Sequence, residues 1–174
     1  MSISSEILVI LLLIIINGVL AMSEAALLAS RKAKLQQLAN EGDKAAASTL
    51  ELLKSPNIFL STIQIGITLI GVLAGAVGGA TIAEALAASF LNLPYIGEYS
   101  ETIGIGIVVI VITVLTIWLG ELVPKRIGLS KPERVSTVMA YPMYFISIIM
   151  APFIWLLTIS TDFLLKILKY SYTK

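Results

Sequence analysis

The six residues Gly120-Glu121-Leu122-Val123-Pro124-Lys125 set a carboxylate inside an otherwise apolar stretch, beside a residue that cannot donate a backbone hydrogen bond. In a helical register the missing N–H of Pro124 frees the carbonyl of Gly120, four residues earlier. A bare carbonyl next to a carboxylate is a pair of hard oxygen ligands, of the kind magnesium accepts while keeping several waters. The plainer alternative is an i,i+4 salt bridge between Glu121 and Lys125, which leaves the flanking glycine and proline without a purpose.

Two other polar groups interrupt apolar runs. Near the amino terminus, Asn17, Gly18, Ser23 and Glu24 follow a hydrophobic stretch, and Asn17 and Glu24, seven apart, share a helix face. Ser23 is a candidate oxygen ligand; Glu24 either joins it or pairs near the membrane surface. Further on, Ser61, Gln64, Thr68, Gly71, Gly75 and Gly78 recur every three or four residues and draw a small, polar stripe along one helix. Ser61 and Gln64 are candidates for ligation or pore lining. Gly71, Gly75 and Gly79 form a small-xxx-small series suited to close helix packing.

These groups need elements that hold them in hydrocarbon. With 57% hydrophobic residues, 13% charged residues and a mean hydropathy of +0.96, the chain of 174 residues is too apolar for a soluble domain of its size. The expected fold is all-α and membrane-integral. There is no cysteine and no histidine, which removes disulfides, thiolate and imidazole metal sites and histidine acid-base chemistry. Any bound metal must therefore be held by oxygen, which suits magnesium, calcium or sodium. A net charge of +1 without a basic cluster on a soluble face gives no support to nucleic-acid binding. No nucleophile–base pair or cofactor loop is present, so catalysis is not expected.

Charge orders the segments. Residues 1–30 read as a first crossing, retained because the run has no basic leader or clear cleavage site. Residues 31–55, carrying Arg31, Lys32, Lys34, Lys44 and Lys54 among leucines and alanines, read as an amphipathic interfacial helix. A second crossing at 57–90, an acidic loop at 91–101 and a third crossing at 102–124 contain no lysine or arginine. Basic residues return in 125–137 with Lys125, Arg126, Lys131 and Arg134. The positive-inside rule places both basic segments in the cytoplasm and the amino terminus outside, in the inner (plasma) membrane. The last apolar stretch, 138–166, has basic residues at both ends and contains Pro142 and Pro152. It is expected to be a broken or re-entrant pair of half-helices leaving the carboxyl end cytoplasmic, with a fourth crossing as the competing reading.

Three stretches, Met22-Ser23-Glu24-Ala25-Ala26-Leu27, Leu60-Ser61-Thr62-Ile63-Gln64-Ile65-Gly66 and Gly120-Glu121-Leu122-Val123-Pro124-Lys125, resemble in order and spacing the transmembrane domain of the CorC and cyclin M (CNNM) proteins, also described as hemolysin-related. The resemblance covers nearly the whole chain. It implies a three-crossing domain with an amphipathic belt helix, usually a homodimer, that extrudes magnesium, with sodium as a candidate coupling ion. The ligand roles it implies fall on Ser23, on Ser61 or its neighbour Thr62, and on Gly120 with Glu121. Members with a well-defined magnesium site often carry asparagines in the second motif, where this chain has Ile67 and Gly71. That shortens the ligand set, although Gln64 or water could fill the gap, and bacterial relatives have been linked to polyamine export. Three functions follow: magnesium export, export of a polyamine or other organic cation through Glu121 and Glu24, or a non-transporting anchor or cation sensor. The family usually continues into a cytoplasmic CBS-domain pair, absent from these residues.

Overall fold

A computed structural model describes residues 2–54, 56–78, 81–91 and 97–168, and the described residues are almost entirely helical. The helices are α1 (Ile3–Ala29), α2 (Lys32–Asn40), α3 (Lys44–Leu52), α4 (Pro56–Gly78), α5 (Thr81–Phe90), α6 (Ser100–Ile117), α7 (Val123–Ser130) and α8 (Pro132–Ile167). A 3-10 turn, Gly97–Tyr99, leads into α6, and a π-helical turn, Trp118–Leu122, joins α6 to α7. Ile3–Ala29, Pro56–Gly78, Gly97–Ser130 and Pro132–Ile167 are each long and apolar enough to cross a membrane. Their many exposed Leu, Ile, Val and Phe side chains need lipid as solvent.

α1 and α4 run antiparallel. A Cβ on Gly66 would meet Leu20, and one on Gly78 would meet Ile10. α1 and the α6–α7 segment run parallel: Gly120 lies on Ile14 and Asn17, Pro124 on Gly18, and Gly128 on Met22 and Ala26. Gly18 and Gly128 are glycine because the neighbouring backbone or proline ring takes the space of a side chain; at Gly128 a Cβ would lie 2.5 Å from the Met22 carbonyl. The core joins Leu20 and Leu27 of α1 to Phe59, Ile63 and Ile70 of α4 and to Ala140 and Met143 of α8.

Several expected boundaries change. The interfacial segment is two helices, because Gly42 turns the chain at φ +98° and Asp43 caps α3 by accepting from the amides of Ala45 and Ala46. The second apolar interval is also divided: α4 ends at Gly78 and α5 is separate. Gly79 and residues 92–96 of the expected acidic loop lie outside the described residues. The third segment does not stop at residue 124. The π turn adds a residue just before Pro124, which then sits in the first turn of α7, where a missing N–H costs little.

The carboxyl-terminal segment is one continuous helix, not a broken pair. Pro142 and Pro152 face outward, so each removes a bond to the carbonyl four residues back, of Val138 and Ile148, without driving its ring into a neighbour. α8 meets the ends of α1 and α2 and then the first half of α4. It begins with Glu133 against Arg31 and Ser136 against Ser30, passes Phe59 near Tyr144–Ala151, and reaches Ser61–Ile65 at Ile154–Asp162. From Glu133 to Asp162 the helix extends about 45 Å, at 1.5 Å per residue.

Candidate functional site

The site forms where α1 packs on the π turn. A π turn gives the backbone an extra residue and lets the N–H of Val123 reach the carbonyl of Trp118, five residues back. Pro124 then leaves the carbonyl of Gly120 without its α-helical donor, as expected from the sequence. Asn17 supplies the missing donor: its Nδ2 lies 2.9 Å from the Gly120 carbonyl, in a buried contact. With the amide orientation set by that bond, Asn17 Oδ1 is a buried acceptor with no hydrogen-bond partner. In hydrocarbon such an oxygen is costly, and it marks a place where a cation or water is welcome.

One turn further on, Lys125 Nζ lies 2.7 Å from Glu121 Oε1 and 3.5 Å from Glu24 Oε2. The i,i+4 pair anticipated between Glu121 and Lys125 is therefore present, and Glu24 makes it a triad. Asn17 and Glu24 do share a face, and both turn toward the Gly120–Lys125 segment. The three charged side chains are between a fifth and two-fifths exposed, so the triad is not sealed within the bundle. Pro124 closes the other side by packing its ring on Gly18.

Ser23 is buried and its hydroxyl donates to the carbonyl of Val19 at 2.7 Å, which leaves its lone pairs free to accept or ligate. On α4 the structure separates the two neighbours. Thr62 is buried; one turn before Gly66 on the α1-facing side, it stands level with Ser23 and Glu24. Its hydroxyl donates to the carbonyl of Ile58 at 2.8 Å. Ser61 is exposed and points into a groove beside α8, with Gln64, Thr158, Thr161 and Asp162.

The small, polar stripe of α4 is consequently not the packed one. Ser61, Gln64, Thr68, Gly71 and Gly75 are all exposed, and a Cβ on Gly71 or Gly75 would meet nothing within 4 Å. The close-packing role expected of Gly71 and Gly75 falls instead to Gly66 and Gly78 within this chain. The buried face is Phe59, Thr62, Ile63, Ile70 and Ala74. Gly71 and Gly75 border a cavity of about 230 Å³ between α4 and α6. Among the described residues no group of three or more acidic side chains is gathered as a metal cage.

Residues 8–174 match the cyclin M transmembrane N-terminal domain family. The chain belongs to that family. Among curated relatives, this cyclin M domain is 43% identical over 166 residues to the UPF0053 protein sll0260 of Synechocystis sp., covering 95% of this chain and 37% of the relative. It is 34% identical over 165 residues to the polyamine export protein of Escherichia coli K12, covering 95% and 37% of the two chains. The polyamine export protein of Haemophilus influenzae is 32% identical over 155 residues, covering 89% and 36%. The chain thus spans little more than a third of the length of these relatives.

Proposed function

We propose that this cyclin M domain is the membrane part of a cation exporter whose substrate is a polyamine or a similar organic cation. The observation that carries the reading is the seating of the Lys125 ammonium between Glu121 and Glu24. Two carboxylates that already hold a primary ammonium have the charge, spacing and partial burial to hold the ammonium of a substrate. Lys125 is then a resident counter-ion: it neutralises the pair when the site is empty and gives way when an amine enters. The relatives named as polyamine export proteins support the same substrate class.

Magnesium export, with or without sodium coupling, is the second reading, and Asn17 favours it. Its Nδ2 is bonded to the Gly120 carbonyl and its Oδ1 is a buried, unpartnered hard oxygen, and Ser23 and Thr62, buried about two turns along at the level of Glu24, are further oxygen donors. Ser61 adds nothing to that set in this arrangement.

The charge pattern, with basic residues at both ends of 138–166, supports an inner-membrane protein with its amino terminus outside and its carboxyl end cytoplasmic. A cytoplasmic CBS pair and a homodimer complete the proposal. The test is efflux from proteoliposomes containing the full-length protein, with radiolabelled spermidine or with magnesium inside. Spermidine efflux abolished by both Glu24→Gln and Glu121→Gln supports the first reading; magnesium efflux alone supports the second; no flux of either makes the protein an anchor or sensor.

A further inference from the structure

A cavity of about 660 Å³ opens where the ends of α1 and α7 meet the starts of α2 and α8, and four basic side chains line it. Two of them are already engaged. Arg31 Nε lies 3.1 Å from Glu133 Oε1, and Lys34 Nζ lies 3.6 Å from Glu133 Oε2, with the Glu133 carboxylate nearly buried. Asp43, also on the wall, is occupied as the cap of α3. Lys131 and Arg134 have no carboxylate within ion-pair distance among the described residues. The cavity therefore carries uncompensated positive charge, presented by one ammonium and one guanidinium, the group best shaped to grip phosphate oxygens.

A second groove, of about 290 Å³, continues from the first and shares Ser130, Lys131 and Arg134 with it. Its remaining walls are apolar: Met22, Ile127, Val135, Val138 and Met139. Val138 and Ile127 are among the exposed hydrophobic side chains, so the groove opens toward lipid. A cationic pocket that runs directly into an apolar furrow, at the end of the bundle where the basic segments gather, matches a molecule with a phosphate at one end and hydrocarbon at the other.

We propose that this composite pocket binds an anionic phospholipid, its headgroup phosphate held by Lys131 and Arg134 and an acyl chain lying along Val138 and Ile127. The apolar half selects a lipid over free phosphate. The Glu133 carboxylate fixes Arg31 and Lys34, so the pocket is shaped before the lipid arrives.

The test uses the full chain purified in detergent, with retained lipid counted by native mass spectrometry during titration of phosphatidylglycerol or phosphatidylcholine. The wild type retains phosphatidylglycerol in preference. Lys131→Gln/Arg134→Gln weakens that retention roughly thirtyfold, from about 1 kcal/mol per basic residue at a membrane surface. Lys44→Gln/Lys54→Gln, which removes equal charge from the same end outside the pocket, leaves it unchanged. If the first double variant fails to fold, Val138→Gln reads the apolar half alone and also lowers retention. Equal retention of the two lipids, equal loss in both double variants, or displacement of phosphatidylglycerol by millimolar inorganic phosphate would overturn the proposal.

Discussion

Asn17 and Gly120, separated by 103 positions in the chain, are joined by a hydrogen bond of 2.9 Å from the Asn17 side-chain amide to the Gly120 carbonyl. The bond answers the vacancy that Pro124 creates, and it ties the middle of α1 to the π turn that presents Glu121. Asn17→Leu keeps the size and removes the donor, leaving a buried carbonyl unpaired. The expected loss is about 1–3 kcal/mol, read as a lower midpoint of thermal unfolding in detergent. An unchanged midpoint would mean that water satisfies the carbonyl equally well.

Lys125 competes with any amine for Glu24 and Glu121. Lys125→Met should therefore strengthen spermidine binding while Lys125→Arg keeps it near the wild-type value, because the larger guanidinium still neutralises both acids. Competition binding in detergent distinguishes the two. Weaker binding in Lys125→Met would show that the lysine holds the site open rather than filling it.

Two sets of glycines should behave oppositely. Gly128→Ala places a methyl group 2.5 Å from the Met22 carbonyl and should cost about 1–3 kcal/mol. Gly71→Ala and Gly75→Ala meet open space and should be neutral, or gain up to about 1 kcal/mol from helix propensity. Thermal midpoints of the three single variants test the contrast in this chain.

The basic residues Arg134 and Lys166 at the two ends of the last apolar stretch make a topological prediction. The chain has no cysteine, so single introduced cysteines report cleanly. Lys44→Cys and Lys166→Cys should react with a membrane-impermeant thiol reagent from the same side of sealed vesicles. Labelling from opposite sides would make α8 a fourth crossing.

The parts legible in the sequence were those that depend on neighbours along the chain. Pro124 announced the freed carbonyl of Gly120, and the spacing of Glu121 and Lys125 announced their pairing, because both relations lie within about one helical turn. That Asn17 donates to that carbonyl depends on the register of α1 against a helix a hundred residues away, which no local pattern encodes. On α4 the eye follows the contrast between small polar residues and large apolar ones. In lipid that contrast does not tell inside from outside, because the protein-facing side can be as apolar as the lipid-facing one. Hence the residue pattern points to Ser61, which lies on the other face, while Thr62, set among Phe59, Ile63 and Ile70, comes forward only as its neighbour through the family resemblance. α8 shows a similar limit: its two prolines suggested a break, but outward-facing rings interrupt hydrogen bonds without ending the helix.

The central claim is that Glu24 and Glu121 together hold the ammonium of an organic cation. Calorimetric titration of spermidine into the purified domain, its Glu24→Gln variant and its Glu121→Gln variant tests it, with magnesium titrated in parallel. The account predicts saturable spermidine binding to the wild type that is lost on replacing either acid. Saturable magnesium binding that requires Glu121 but not Glu24, with no spermidine binding, would contradict it.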